Sequence, residues 1–515
     1  MSRAEKIAKA ANERFDVVII GGGITGAGIF LRCCQNGLKT LLIDAADFAS
    51  GTSSRSAKMI HGGLRYLQYM QIKLVKEALK EREHLLKLYP HLVKPLPFLM
   101  PIYHSRLTVG KMKIGLFGYD RLADSSILPK HKRLGRDTIQ EQYPMLKQEG
   151  LKGGFYYYDA MTNDARLTNE VIMEAEELGG TAINYLLLEA FEKEQNQITS
   201  INVKDQLTGE IKSVKAEQFI SATGIWTDEL LEKIGQPKEK IMLPSKGIHL
   251  VVDGARFPKE DVLLIPCDDK RMLWICPWVD GLVIIGTTDT VYHGELREPG
   301  ADHQEVKYIL ENVNRSLAGI QLNEDDILSI YSGLRPLIDE KKDSASNKVS
   351  RDYKIWWEEE NVLMIAGGKL TSFLSMADHV LKELATKKSV DLKLVSGHQS
   401  IKLDSALEQK WGIHAPKMEQ ILEEQANYGD ELLSGLTYRV ADVIYYIRYQ
   451  NAQKISDVLT RRMAITYRMK KLDDNLVEKV ADIMQGELNW TSAKRAQRIM
   501  DYSDHWKTLH PLLKP

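Results

Sequence analysis

Phe15-Asp16-Val17-Val18-Ile19-Ile20-Gly21-Gly22-Gly23-Ile24-Thr25-Gly26 begins as a short β-branched run and ends on a glycine turn. A run of this kind suits a strand buried on both faces. A helix pattern follows from about Thr25 to Asn36, closed by Gly37 past its end. Thr40-Leu41-Leu42-Ile43 is then a second strand, ending at Asp44. Gly21-x-Gly23-x-x-Gly26 therefore sits between a strand and a helix, with an acid at the end of the next strand. The first glycine permits the sharp turn, the second lets a pyrophosphate approach the backbone, and the third allows close helix–strand packing. The helix N-terminus offers free N–H groups and the positive end of its dipole to phosphates. Asp44 is positioned to accept hydrogen bonds from an adenosine ribose.

This places a dinucleotide in a Rossmann-like α/β domain. The chain carries a single such fingerprint. Enzymes that pass hydride between flavin and a nicotinamide often carry two, so one N-terminal site suits a resident FAD reoxidised by something other than NAD(P)H.

The chain has 515 residues, enough for two to four structural units. Its 69 basic and 70 acidic side chains nearly cancel, which gives no global pull toward nucleic acid. Four cysteines make no disulfide framework: Cys33 and Cys34 are adjacent, and Cys267 and Cys276 fit no metal spacing. They read as reduced core thiols of a cytoplasmic protein, with no metal site. Met1 to Arg14 is charged throughout and cannot serve as a secretory core, and no apolar run is long enough to span a bilayer. Any meeting with a membrane is from one side.

Gln71 to Leu88 reads as an amphipathic helix and Ala165 to Gly179 as another, whereas Lys94 to Met145 shows no strong periodicity. Phe219-Ile220-Ser221-Ala222 and Val362-Leu363-Met364-Ile365-Ala366 are buried strands leading into Thr223-Gly224 and Gly367-Gly368. From Ile241 to Thr290 strand-like segments dominate, as in an antiparallel sheet apart from the parallel one. Residues 403 to 515 are charged and largely helical in pattern.

Thr52-Ser53-Ser54-Arg55-Ser56-Ala57-Lys58-Met59-Ile60-His61-Gly62-Gly63-Leu64-Arg65-Tyr66-Leu67 closely resembles the flavin-contacting loop of FAD-dependent glycerol-3-phosphate dehydrogenases, within the D-amino-acid-oxidase-like superfamily. Ala222-Thr223-Gly224-Ile225-Trp226, Ile285-Gly286-Thr287-Thr288-Asp289, Tyr331-Ser332-Gly333-Leu334-Arg335-Pro336-Leu337 and Gly367-Gly368-Lys369-Leu370-Thr371 match in order and spacing, covering about residues 15 to 385. Leu459-Thr460-Arg461-Arg462 matches a C-terminal feature less specifically. Phe30 departs from the pattern, because related sequences usually carry a small residue there.

The resemblance implies a discontinuous FAD domain (1–94, 150–240 and 330–390), an antiparallel substrate cap (95–149 and 241–329) and an all-α C-terminal domain (391–515). It implies FAD contacts from Thr52, Ser53, Ser54, Lys58, His61, Gly62, Gly63, Leu64, Ala222, Thr223, Gly224, Trp226, Gly368, Lys369, Leu370 and Thr371, beside Gly21, Gly23, Gly26 and Asp44. It further implies oxidation of sn-glycerol 3-phosphate to dihydroxyacetone phosphate, peripheral attachment to the inner face of the membrane, and quinone as acceptor. A homodimer is compatible with it.

Oxidising a secondary alcohol on flavin requires the carbinol hydrogen aimed at the ring and a home for the hydroxyl proton. A phosphomonoester adds the need for roughly two positive charges. Arg335 suits bidentate oxyanion recognition and is expected at a strand end before Pro336. Lys369 lies in a glycine turn, and Arg65 with Tyr66 follows Gly62-Gly63, where the backbone can approach closely. His249 sits on a cap strand with a pKa suited to a base near neutrality. The base stays open between His249 and Lys369, with Arg335 mainly electrostatic.

Arg106 to Phe117 mixes basic and large apolar residues. It is either an interfacial patch, with Leu116 and Phe117 inserted, or a cap helix packed on the core. Two rival readings remain: a superfamily enzyme acting on an amine or 2-hydroxy acid, and a non-catalytic flavin-binding redox sensor.

Overall fold

The computed structural model describes residues 1–103, 106–123, 127–195, 197–235, 240–269, 271–339, 352–388 and 402–511, apart from the side chains of residues 65, 68, 69 and 106–108. The opening motif folds as its spacing predicts: strand Arg14–Ile20, helix Ile24–Gln35 and strand Thr40–Ile43. Strand order across the first sheet is Tyr353–Glu359, Val362–Gly367, Ile211–Ser221, Arg14–Ile20, Thr40–Ile43, Thr181–Ile183. All neighbours run parallel except the first pair. Buried on both faces, these strands need apolar side chains in both phases, which explains Val17-Val18-Ile19-Ile20.

Helices Ile24–Gln35, Asp164–Glu177 and Phe373–Lys388 supply residues to the core on one side of this sheet. Phe30 is fully buried there, and the helix–sheet packing accommodates it. The space comes from Gly180, on which a Cβ would stand 2.4 Å from the Phe30 ring.

The second sheet runs Thr290–Val291, Met242–Asp253, Leu282–Gly286, Met272–Pro277, Val262–Pro266, Lys94–Tyr103, Leu151–Met161, Met59–Ile60, with Ile327–Ile338 paired along Met242–Asp253. It is antiparallel except where Val262–Pro266 meets Lys94–Tyr103. Three strands cross the expected division, the first of them Met59–Ile60. Leu151–Met161 and Ile327–Ile338 join this second sheet, although the sequence assigned 150–240 and 330–390 to the flavin part. Lys94–Tyr103 is a strand in spite of Pro95, Pro97 and Pro101. Those prolines share one parity, so the N–H donors they lack fall along a single edge.

The C-terminal helices, among them Ala415–Glu424, Val440–Tyr449, Asp474–Leu488 and Ser492–Thr508, enclose a core of their own around Trp411, Tyr445, Tyr446 and Met484. All four cysteines are free and buried. Among the described residues, no helix is long and apolar enough to cross a membrane.

Candidate active site

Gly21 adopts φ +111°, and a Cβ there would stand 2.5 Å from the Ala222 carbonyl oxygen, so strand ends and turn meet as bare backbone. A Cβ on Gly26 would stand 1.8 Å from the Gly21 carbonyl oxygen, which ties the third glycine to helix–turn packing. Asp44 accepts from the N–H groups of Gly22 (2.7 Å) and Ala46 (2.8 Å). Burial nevertheless pushes its carboxyl up to about 6.

A cavity of about 510 Å³ opens at this turn. Four separated stretches line it: Gly21, Gly23 and Asp44; Thr52 and Ser53; Ala222, Thr223, Gly224 and Trp226; Gly368, Lys369 and Leu370. Ser53 reaches the turn through its hydroxyl, which accepts from the Ile24 N–H at 2.9 Å. Thr52 donates to the Leu334 carbonyl at 2.7 Å and so fastens the same loop to the strand carrying Arg335.

Other residues named from the sequence hold the wall from behind. Ser54 is buried, and Lys58 is buried in an ion pair with Asp164 at 2.6 Å. His61 donates its backbone N–H to the Thr371 hydroxyl at 3.1 Å, and a Cβ on Gly62 would collide with Leu79. Gly63 takes a left-handed conformation, φ +74°, and Leu64 begins the short helix that follows.

In the second sheet Ser245, Gly247 and His249 stand opposite Arg335, Gly333 and Tyr331, so alternation places all six on one face. His249 stacks on Tyr331 with ring centroids 4.7 Å apart and an angle of 14°. Both its ring nitrogens are buried and make no hydrogen bond within the described residues. Burial, then the charges of Arg335 and Lys58, push its pKa well below the usual histidine range. The imidazole is neutral near pH 7, and it sits behind the cavity wall and not on the lining.

Arg335 lies inside strand Ile327–Ile338 rather than at its end, because the pairing with Met242–Asp253 continues through Pro336 to Ile338. Its guanidinium donates to the Thr288 carbonyl at 3.2 Å and the Thr287 hydroxyl at 3.3 Å, and lies 3.5 Å from Asp289. Asp289 in turn accepts from the Ser245 hydroxyl.

Lys369 follows Gly367 and Gly368, both at positive φ (82° and 91°), and its ammonium sits 4.0 Å above the Tyr66 ring. Two loops far apart in sequence thus meet at the cavity edge. The Arg65 side chain lies outside the described residues.

This architecture has relatives. Residues 16–377 match the family "FAD dependent oxidoreductase", and residues 364–495 match "C-terminal domain of alpha-glycerophosphate oxidase". An aerobic glycerol-3-phosphate dehydrogenase from Staphylococcus haemolyticus (strain JCSC1435) is 34% identical over 94% of this chain and 93% of its own. The chain belongs to the FAD-dependent glycerol-3-phosphate dehydrogenase family. Its Staphylococcus aureus (strain MRSA252) counterpart is also 34% identical, over 94% of this chain and 92% of its own. The crystal structure of glycerol-3-phosphate dehydrogenase from Bacillus halodurans complexed with FAD has a TM-score of 0.79 and 28% identity, and the match covers 100% of this chain and 99% of that one.

FAD is the cofactor of this family, and the residues present fit it. The turn at Gly21 and Gly23 leaves backbone open to a pyrophosphate, Asp44 lines the same cavity beside it, and that cavity reaches Lys369. Sequence reading missed that the C-terminal helices also face this cavity, through Lys454, Ser456, Arg461, Arg498 and His505. The signal within reach was Arg461-Arg462, whose charges inside a helical pattern required a buried partner.

Proposed function

We propose that the protein oxidises sn-glycerol 3-phosphate to dihydroxyacetone phosphate and delivers the electrons to a membrane quinone, as a step of glycerol catabolism. The observation that carries the reading is the neutral, buried His249, its ring nitrogens unbonded within the described residues, on the same sheet face as Arg335. When bound, FAD supplies the acceptor for the hydride leaving C2 of the substrate. His249 accepts the proton of the C2 hydroxyl, so the carbinol carbon loses one hydride and the oxygen one proton. Arg335 stabilises the negative charge that develops on that oxygen. Lys369, with Arg65, provides positive charge for the phosphate dianion, and Tyr66 holds the Lys369 ammonium from below.

Attachment to the inner face of the membrane rests on helix Arg106–Ala123. Leu116 is buried and packs inward, as in the packed-helix alternative, while Ile114 and Phe117 are exposed shortly after Lys111 and Lys113. One face of the helix is core and the other is suited to lipid.

Anaerobic addition of sn-glycerol 3-phosphate to the purified holoprotein tests the reading. Loss of the oxidised-flavin absorbance, restored by a soluble quinone, is the expected result. Bleaching by amino acids or 2-hydroxy acids instead, or by no substrate at all, overturns it.

A further inference from the structure

Asp47 follows Asp44 by three residues and is fully buried. It accepts from Arg461 Nε at 2.6 Å and from Arg462 Nη2 at 3.0 Å. Burial alone would raise its pKa, but the two guanidiniums hold the carboxyl below the usual range. Asp457, in the same C-terminal segment, accepts from the Tyr185 hydroxyl at 2.7 Å and from the Lys454 N–H at 2.8 Å. Tyr185 and Leu186 donate their backbone N–H groups to Ala46 and Asp44, at 2.9 and 2.7 Å. The loop after the ribose-binding acid, the strand beside it and the C-terminal segment are therefore bonded into one unit. Each contributes to the cavity wall.

Besides Arg461, two cations of the C-terminal region face that cavity. Lys454 Nζ lies 4.7 Å over the Tyr185 ring, and burial draws its pKa below the usual lysine range. Arg498 binds Asp501 at 2.9 Å through one nitrogen, while its buried Nε makes no hydrogen bond within the described residues. A desolvated cation at the mouth of a nucleotide site gains most from an anionic or acceptor-rich ligand.

We propose that the C-terminal helical region forms the outer wall of the adenosine half of the FAD site, with Lys454 and Arg498 as cofactor-binding groups and the Asp47–Arg461–Arg462 cluster holding that wall in place. The helical region then governs cofactor retention. The claim concerns the adenosine half, away from His249 and Arg335, so it stands or falls separately from the identity of the substrate.

The test is FAD release from the holoprotein after dilution, followed as the rise in free-flavin fluorescence. Lys454→Ala and Arg498→Ala are compared with Lys507→Ala, which removes an exposed cation of the same region that does not line the cavity. Release roughly tenfold faster in the first two, with Lys507→Ala unchanged, is expected for loss of one charge-assisted contact. Release within about twofold of the parent in both wall variants overturns the proposal, as does equal acceleration in all three.

Discussion

A Cβ on Gly247 would stand 2.5 Å from Nη2 of Arg335. The guanidinium is folded across the bare backbone between Ser245 and His249, and the neighbouring Thr287 hydroxyl is equally close to that point. The glycine is thus the seat of the arginine. Gly247→Ala forces the guanidinium off it, and a displacement of an ångström in a catalytic group costs on the order of a hundredfold in rate. We expect kcat/KM with glycerol 3-phosphate to fall by about that factor while bound FAD is unchanged. Flavin content and steady-state kinetics measured together check it; a variant as fast as the parent would show that Arg335 has another way to its post.

His249 gives a second prediction. Its folded pKa lies well below the ordinary histidine value of 6.5, with burial as the main cause. The imidazole is therefore in its basic form above that pH and is lost as a base only under acid conditions. The acid limb of the pH–rate profile belongs below pH 6.5. His249→Asn should lower kcat by roughly 10²- to 10⁴-fold and remove that limb. If the limb persists unchanged in the variant, the proton goes elsewhere, with Lys369 the next candidate.

The glycine turn was legible in the sequence because each of its demands is local. Gly21, Gly23 and Gly26 answer backbone constraints within a few residues, and those same atoms meet Ala222 and Ser53 in the fold. The face that carries His249 and Arg335 was half legible. Both residues could be named, but their juxtaposition depends on the register between Met242–Asp253 and Ile327–Ile338, which no local pattern encodes. Strand Lys94–Tyr103 was hidden by its prolines, and the docking of Arg461 and Arg462 on Asp47 joins residues more than 400 positions apart. Phe30 was visible as an anomaly, yet its solution, Gly180, lay 150 residues away.

Placing Asp44 at the ribose predicts a pH-dependent affinity for the cofactor. In the protein without FAD its carboxyl titrates at about 6, raised by burial. A ribose hydroxyl donates best to the ionised form, so affinity is full above that value and falls as the carboxylate protonates. The apparent Kd for FAD should rise by up to tenfold per pH unit below about pH 6. Fluorescence titrations of the apoprotein at several pH values measure this. Asp44→Asn should bind more weakly throughout and show a flat profile; a flat profile in the parent would remove Asp44 from the ribose.

The Asp47 cluster sets a stability expectation. Asp47→Asn keeps the shape but leaves the buried Arg462 without its counter-charge and Arg461 with Asp457 alone. Breaking a buried pair in this way costs about 3–5 kcal/mol. The carboxyl is held below its unfolded value, so this stabilisation is present above pH 3.8 and disappears as pH falls through the lower folded value. Calorimetry at pH 7 should show an earlier unfolding transition in the variant, and the gap between variant and parent should narrow as the pH is lowered through the carboxylate range. A transition unmoved at pH 7 would mean the cluster contributes nothing net.

Helix Arg106–Ala123 separates two kinds of membrane contact that one experiment can distinguish. Ile114 is 76% exposed and Phe117 61%, an unusual pair of large apolar side chains to leave in water on one helix. Burying each in lipid is worth roughly 1.5–3 kcal/mol, whereas each nearby lysine adds about 1 kcal/mol, and only against anionic headgroups. Phe117→Glu should therefore cut sedimentation with vesicles by tenfold or more whatever their charge, by order of magnitude from that burial energy. Lys111→Glu with Lys113→Glu should weaken binding to anionic vesicles alone, and salt should mimic it. The core side of the helix, anchored by Leu116 and Tyr119, leaves the fold indifferent to these changes, so flavin content should be unaltered. Vesicle binding that survives Phe117→Glu would place the docking surface on another part of the molecule.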